Sequence, residues 1–223
     1  MADVGGARAG CDRGFGPERA WRGYHEVVDH FAQREPRALA VEDADGAWTY
    51  SELRDASLRV ATLLSARGLA GAARPAPKWA EWPQAPRPVA VWAQRSREFV
   101  AICVGLWRLG LPVVALSRDM ADQATERGRN EQAVRDLKPF ALVSDDRTAE
   151  LAGVDGAPQD LVVVTLAEFA AAIEGPGAGT VASSPVGPES ALAYVYTGGT
   201  TKASKCVAVT HAMALWEAES CSV

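Results

Sequence analysis

A short stretch near the end of the sequence combines three kinds of group that bind phosphate. The residues concerned are Thr197, Gly198, Gly199, Thr200, Thr201 and Lys205. Adjacent glycines let the backbone turn tightly and direct its N–H groups outward. The three hydroxyls add hydrogen-bond donors, and the lysine adds a compact positive charge. Backbone N–H groups, hydroxyls and a lysine together suit a polyphosphate.

The spacing of these residues differs from that of two common phosphate loops. A Walker A loop has two glycines separated by four residues and followed directly by Lys-Ser or Lys-Thr. Here the glycines are adjacent, and Lys205 stands six positions after Gly199. The dinucleotide pattern G-x-G-x-x-G does not occur in the stretch either. The residues alone leave a second interpretation open, a strand–turn–strand in which the glycines only form a turn and Lys205 is solvated.

Apolar runs on both sides of the stretch predict two strands that the stretch would connect. Residues 191–195 and 207–209 have the pattern of buried strands. Thr210 can cap a final helix over residues 211–219. His211 begins that helix, and we assign it no catalytic role.

Upstream of the stretch, predicted strands alternate with predicted helices. Helices are expected over residues 21–33, 49–68, 96–110, 120–138 and 166–173, and strands over residues 38–41, 89–93, 111–116, 140–143 and 161–165. The strand–helix–strand order over residues 89–116 is typical of a βαβ unit with parallel strands. We therefore predict an α/β fold with a mostly parallel sheet flanked by helices.

Local signals refine this prediction in the first part of the chain. Asp45-Gly46 is a hairpin turn signal. Thr49 and Glu52, three residues apart before an apolar stripe, predict a capping box at the start of the second helix. His25 and His30 flank the apolar face of the first helix. We predict that both histidines lie at the surface, because no third ligand stands at metal spacing.

Composition excludes several classes of protein. The chain has 223 residues with 48% hydrophobic and 23% charged residues, which is ordinary for a globular protein. A net charge of -5 with scattered basic residues predicts no general attraction to nucleic acid or to anionic membranes. No run is long and apolar enough to span a membrane, and the first residues lack the apolar core of a signal peptide.

The cysteines predict a reducing environment. They are Cys11, Cys103, Cys206 and Cys221. None forms a C-x-x-C pair, so we expect no disulfide framework and place the chain in the cytoplasm. Cys103 stands inside an apolar run and is expected in the core.

The domain organisation follows from composition. Residues 1–20 are rich in Gly, Ala and Arg and are expected to be a disordered N-terminus. Residues 70–88 are Pro-rich and are predicted to be a surface insertion. Residues 175–188 are predicted to be a Gly/Pro/Ser linker before the phosphate-type loop.

Three motifs, in order, resemble those of the adenylate-forming enzymes, which include acyl-CoA synthetases, firefly luciferase and the adenylation domains of non-ribosomal peptide synthetases. The loop is similar to Y-T-S-G-T-T-G-x-P-K-G-V followed by Thr-His. It matches at Tyr196, Thr197, Gly199, Thr200, Thr201, Lys205, Val207, Thr210 and His211, and it departs at Gly198, Lys202, Ser204 and Cys206. Residues 49–53 resemble (L/W)-T-Y-x-E-L, and residues 106–116 loosely resemble L-x-x-G-x-x-x-V-P-(L/I). Lys202 is the departure of most consequence, because a glycine at that position would allow positive φ.

The resemblance implies a fold and an activity. Residues 21–223 would be the incomplete N-terminal portion of the large ligase domain. The family joins a carboxylic acid to ATP, releases pyrophosphate, forms an acyl-AMP, and in most members passes the acyl group to a thiol of CoA or of a carrier protein. The loop would hold the β- and γ-phosphates of ATP with Mg²⁺ through Thr197, Gly198, Gly199, Thr200, Thr201 and Lys205.

The family's acid pocket, hinge and C-terminal catalytic lysine come later than residue 223. We therefore assign no catalytic residue and no protein metal ligand, and we expect no turnover by these residues alone. The alternative is a non-catalytic nucleotide- or partner-binding module that keeps only the phosphate loop. A third hypothesis is an unrelated domain with no affinity for nucleotides.

Overall fold

A computed structural model describes residues 21–70, 86–145, 161–175, 186–197 and 205–220. The helices in these ranges are α1 (Tyr24–Arg34), α2 (Tyr50–Ala66), α3 (Arg97–Arg108), α4 (Gln123–Leu137), α5 (Leu166–Glu174) and α6 (His211–Ser220). The strands are β1 (Leu39–Asp43), β2 (Gly46–Thr49), β3 (Val89–Trp92), β4 (Val113–Ala115), β5 (Ala141–Ser144), β6 (Val162–Thr165), β7 (Ala191–Tyr196) and β8 (Cys206–Thr210). Residues 1–20, nearly all of the predicted insertion and most of the predicted linker lie outside the described residues.

Six strands form one sheet in the order β6-β5-β3-β4-β7-β8. The first five of these run parallel to their neighbours, and β8 runs antiparallel to β7. The predicted α/β class with a mostly parallel sheet is confirmed, and so is the parallel βαβ unit formed by β3, α3 and β4. The two strands β1 and β2 form a separate antiparallel hairpin at the predicted turn, where Gly46 has a φ of 143°.

Helices cover both faces of the sheet because its central strands are apolar on both sides. On one face, Val89 and Val91 of β3 pack with residues of α2, α3 and α5. On the other face, Ala90 and Trp92 pack with α4. Cys103 of α3 is buried in the first of these layers, as predicted, and burial raises the pKa of its thiol to about 12.

The start of α2 is fixed by the predicted capping box. The side chain of Thr49 accepts a hydrogen bond from the backbone N–H of Glu52, and the Glu52 carboxylate accepts one from the Thr49 N–H at 2.7 Å. These contacts satisfy two amide groups that the first turn of a helix leaves unpaired. The hydrogen bonds that the Glu52 carboxylate accepts from Thr49 also lower the pKa of Glu52 from its ordinary value.

The prediction for His25 is wrong, because this side chain is buried and only 5% exposed. Helix α1 contacts the body on two sides, through Val28 against α2 and α3 and through Val27 and Phe31 against Leu215 of α6. A single apolar stripe in the sequence does not reveal this second contact. Burial, followed by the charge of a nearby arginine, lowers the pKa of His25.

Boundaries differ from the predictions by a few residues. Helix α1 begins at Tyr24 rather than at residue 21, and β4 is shorter than the predicted strand over residues 111–116. The latter difference has a local cause. The Leu111 N–H bonds to the Leu106 carbonyl at the end of α3, and the following Pro112 has no N–H to give to a ladder.

Candidate functional site

The predicted phosphate-type loop connects β7 to β8 at the carboxyl edge of the parallel strands. Of its six candidate residues, Thr197 and Lys205 are described; Gly198, Gly199, Thr200 and Thr201 lie outside the described residues. The departures Lys202 and Ser204 also lie outside them. The two described residues stand at the two ends of the loop.

Thr197 and Lys205 are paired across the base of the loop, which we call the neck. The Thr197 N–H donates to the Lys205 carbonyl at 2.9 Å. The Lys205 N–H donates to the Thr197 hydroxyl oxygen at 3.3 Å. Both residues are exposed. The neck therefore pairs the backbones of two exposed residues, one of which carries a hydroxyl and the other an ammonium group.

Two tyrosines of β7 anchor the strand beneath the neck. The Tyr196 hydroxyl donates to Oδ2 of Asp136 on α4 at 3.2 Å. The Tyr194 hydroxyl donates to the Pro86 carbonyl at 3.0 Å. Burial raises the pKa of Tyr194 to about 12. Burial, with Cys206 and Asp136 nearby, also raises the pKa of Tyr196, so both hydroxyls are protonated donors at neutral pH.

A crevice opens along the same edge of the sheet. The chain leaves β3 for α3 on one face and leaves β4 for α4 on the other, and open α/β sheets bind ligands at such a switch point. A cavity of about 450 Å³ lies there, lined by Ala93, Gln94, Arg95, Leu116, Arg118 and Asp119. A second cavity of about 360 Å³ shares Arg95 and Leu116 and extends to Tyr194 and Tyr196.

The charges of the crevice are partly compensated. Arg118 pairs with Asp145 at 2.5 Å, and the Arg95 guanidinium lies 4.4 Å from the centre of the Phe99 ring. Arg129 of α4 also lines the second cavity. The arrangement adds guanidinium groups to the edge that carries Lys205, which suits an anionic ligand.

Residues 28–223 match the sequence family described as AMP-binding enzyme. The chain belongs to this family of adenylate-forming enzymes. Its fold agrees with that assignment, since the crevice and the two ends of the loop lie at the carboxyl edge of the sheet. The resemblance drawn from three motifs in the sequence is thereby confirmed.

Individual relatives cover the same region. The chain is 26% identical over 195 residues to nonribosomal peptide synthetase 7 of Gibberella zeae, an alignment that covers 87% of this chain and 4% of that protein. It is 29% identical over 188 residues to malpinin synthetase of Mortierella alpina, which covers 84% of this chain and 2% of that protein. The chain thus spans a small fraction of the length of these relatives.

Solved structures show the same fold. The crystal structure of VinN superimposes with a TM-score of 0.70 at 25% identity, covering 90% of this chain and 49% of VinN. The ATP-bound structure of MatB from Rhodopseudomonas palustris has a TM-score of 0.62 at 25% identity, covering 82% of this chain and 35% of MatB. This AMP-binding chain therefore has the architecture of the N-terminal part of such enzymes.

Some residues of the site were not predicted from the sequence. Arg95 and Arg118 each follow a parallel strand. The strand pattern in the sequence could therefore have predicted that both lie at the same edge of the sheet. Asp136 gave no such signal, because it stands 60 residues before Tyr196 in a polar helix. His211 is buried, and its Nδ1 accepts a hydrogen bond from the Tyr24 N–H at 3.0 Å, which gives this helix-start residue a structural contact.

None of the helices in the described ranges is both long enough and apolar enough to cross a bilayer.

Proposed function

We propose that this AMP-binding chain supplies the phosphate-binding part of an ATP-dependent, AMP-forming carboxylic acid ligase. A carboxylate oxygen of the acid would attack the α-phosphorus of ATP, and the bond from that phosphorus to the β-bridging oxygen would break. The products are an acyl-AMP and pyrophosphate. A thiol of CoA or of a carrier protein would then attack the acyl carbon, lose its proton and displace AMP.

The observation that carries this proposal is the neck. It places Thr197 and Lys205, both exposed, opposite each other at the carboxyl edge of the sheet, and the Gly198-Gly199 and Thr200-Thr201 pairs lie between them in the sequence. Phosphoryl transfer depends on positioning and on charge neutralisation rather than on covalent help from the protein. In this chain the lysine would neutralise phosphate charge, and the hydroxyls and loop N–H groups would donate hydrogen bonds.

Mg²⁺ is the metal that this chemistry implies, because it would neutralise negative charge on the phosphates of the nucleotide. Among the described residues no group of three His, Cys, Asp or Glu side chains could hold a metal ion. Mg²⁺ commonly keeps its waters and binds substrate phosphates with only one or two protein ligands. The exposed neck fits an ion that arrives with the nucleotide.

Two neighbours support the choice of substrates. MatB has been solved with ATP, and VinN with L-aspartate and with 3-methylaspartate. These ligands are a nucleotide and carboxylic acids, which are the two reactants of the proposed reaction. We therefore propose ATP and a carboxylic acid as the substrates.

A titration of the purified chain with ATP and Mg²⁺ in a calorimeter tests the proposal. We expect saturable binding, and Lys205→Met should weaken it about tenfold or more, as expected for loss of a charge-assisted hydrogen bond. Lys138→Met is the matched control, because Lys138 precedes β5 and so lies at the opposite edge of the sheet. Equal effects of the two substitutions, or no binding at millimolar ATP, would contradict the proposal.

Acid-dependent exchange of pyrophosphate into ATP then tests the ligase reaction itself. Exchange that depends on an added carboxylic acid would support acyl-AMP formation. ATP binding by the intact protein without exchange for any acid would favour the nucleotide-binding module.

A further inference from the structure

We infer that Asp136, Tyr196 and Cys206 form a clamp that fixes both ends of the phosphate loop to helix α4. The inference rests on the proposed function, since it assigns positioning residues for ATP binding by that loop. None of the three needs to touch the nucleotide. Their effect on binding would pass through the two ends of the loop. Thr197 directly follows Tyr196, and Lys205 directly precedes Cys206.

The ladder between β7 and β8 ends at the clamp. Tyr196 and Cys206 are opposite each other in the last register pair of these strands. The next pair outward is the neck, where Thr197 and Lys205 exchange hydrogen bonds. Holding Tyr196 and Cys206 in place therefore holds the first and last residues of the loop at a fixed separation.

Asp136 connects this pair to a rigid element. It accepts the Tyr196 hydroxyl hydrogen bond at 3.2 Å from the last turn of α4. The apolar side of that turn, Ala133, Val134 and Leu137, is buried against the sheet. The helix begins at an Asp122 cap and ends at Lys138, which has a left-handed backbone conformation. The carboxylate is thus carried by a helix whose apolar side is packed against the sheet.

The third member of the clamp, Cys206, departs from the family pattern. That pattern has glycine at this position, and glycine has no side chain to pack beside Tyr196. Here Cys206 is half-buried, it is the register partner of Tyr196, and both side chains pack against the same apolar cluster that includes α4. Burial also raises the pKa of the Cys206 thiol.

Tyr196→Phe tests the clamp, and Tyr50→Phe is its control. Each substitution removes one tyrosine hydroxyl, but Tyr50 stands at the start of α2, where its ring lies 5.0 Å from that of Phe31 and away from the crevice. We expect Tyr196→Phe to raise the Kd for ATP about three- to tenfold, the value of one hydrogen bond. Tyr50→Phe should raise the Kd by less than about twofold.

A double-mutant cycle tests the partner. Asp136→Ala should weaken ATP binding to a similar extent, and Asp136→Ala combined with Tyr196→Phe should cost little more than either change alone. Additive losses would show that the two residues act separately and would overturn the inference. Equal Kd values for Tyr196→Phe and Tyr50→Phe would also overturn it.

Amide hydrogen exchange separates this inference from the proposed function. The Thr197 N–H donates within the neck, so its exchange should become about three- to tenfold faster in Tyr196→Phe and remain unchanged in Tyr50→Phe, with or without nucleotide. If the unchanged chain binds no ATP, the proposed function fails, and exchange at Thr197 alone decides whether the clamp exists. Unchanged exchange in Tyr196→Phe would overturn the clamp even if ATP binds.

Discussion

Arg108 is a buried cation that is paired with the carboxylate of Asp29. Its guanidinium donates to both oxygens of Asp29, at 2.7 and 2.5 Å, and to the Ser57 hydroxyl oxygen at 3.0 Å. Asp29→Asn would leave this guanidinium buried without a counter-charge. We expect a loss of about 3 kcal/mol in the free energy of unfolding, measured by urea denaturation.

Two further variants complete this test. Arg108→Met should cost less than Asp29→Asn, because it removes the buried charge and leaves a carboxylate that is 32% exposed. Glu35→Gln, at an exposed pair with Arg34, should change stability by less than about 0.5 kcal/mol. A loss in Asp29→Asn no larger than that in Glu35→Gln would show that the buried pair does not act as described.

His211 makes stability depend on pH. Burial, together with the nearby His25, lowers the pKa of His211 to about 4. The unfolded chain binds a proton at the ordinary value near 6.5, while the folded chain resists protonation. The contribution of neutral His211 to the free energy of unfolding is therefore complete above about pH 6.5 and is lost progressively as pH falls towards 4. We expect a loss of about 2 kcal/mol between pH 7 and pH 5, measured by denaturant unfolding at both pH values.

His211→Asn isolates this contribution. An asparagine oxygen can accept the Tyr24 N–H in place of Nδ1, and it does not titrate in this range. We expect the variant to lose clearly less stability than the unchanged chain over the same interval. Parallel losses in the two proteins would assign the pH dependence to other groups.

At the scale of elements, the contact between α2 and α3 depends on a glycine. A Cβ added at Gly105 would lie 2.5 Å from Cγ1 of Val60 and 2.9 Å from the Ser57 carbonyl oxygen. Gly105→Ala would therefore force the two helices apart, and we expect a loss of about 1–3 kcal/mol in thermal or urea unfolding. Gly128→Ala on α4 is the control, because no atom lies within 4 Å of its added Cβ.

The control should change stability in the opposite direction. Alanine is favoured over glycine inside a helix by about 1 kcal/mol, so Gly128→Ala should stabilise the chain. If both alanines stabilise it, the helices can adjust to the added methyl group and the close approach at Gly105 carries no cost.

The elements themselves follow from the sequence because their signals are local. The capping box of Thr49 and Glu52 lies within one helix, and so does the spacing of that helix's apolar residues. Both could therefore be predicted from the sequence. The beginning of β4 was misplaced because the Leu111 N–H bonds to the end of α3, so that two elements compete for the same residue. His25 was misplaced because its burial comes from a second contact between helices, which no single period records.

The candidate site also has a part that could be predicted from the sequence and a part that could not. The candidate ends of the loop, Thr197 and Lys205, were named from composition and from two flanking strands. The contact of Asp136 with Tyr196 joins residues that are 60 apart and depends on how α4 lies on the sheet. The sequence predicts which groups can bind phosphate, but the support beneath them requires the packed structure.

At the scale of the whole molecule, β8 lies at the edge of the described sheet and pairs only with β7 among the described strands. Val195 and Val207, which are register partners, are 48% and 40% exposed on this edge. An apolar edge strand is a template for pairing with a second chain. We expect the isolated chain to self-associate as its concentration rises, in sedimentation velocity.

Val207→Lys should reduce this association, because a charged side chain on an edge opposes strand pairing. Leu39→Lys is the control for the added charge, since Leu39 is 58% exposed on the separate hairpin. If the two lysines reduce association equally, the cause is net charge rather than the β8 edge.

The strand order also determines at which stage of folding the neck can form. Strand β7 pairs with β4 across a long intervening segment, and such contacts form slowly because a large loop must close first. Strands β3, β4 and β5 can assemble from nearer parts of the chain. We expect nascent protein emerging from the ribosome to gain its central strands before it can recognise a nucleotide, so that nucleotide affinity marks the completion of folding.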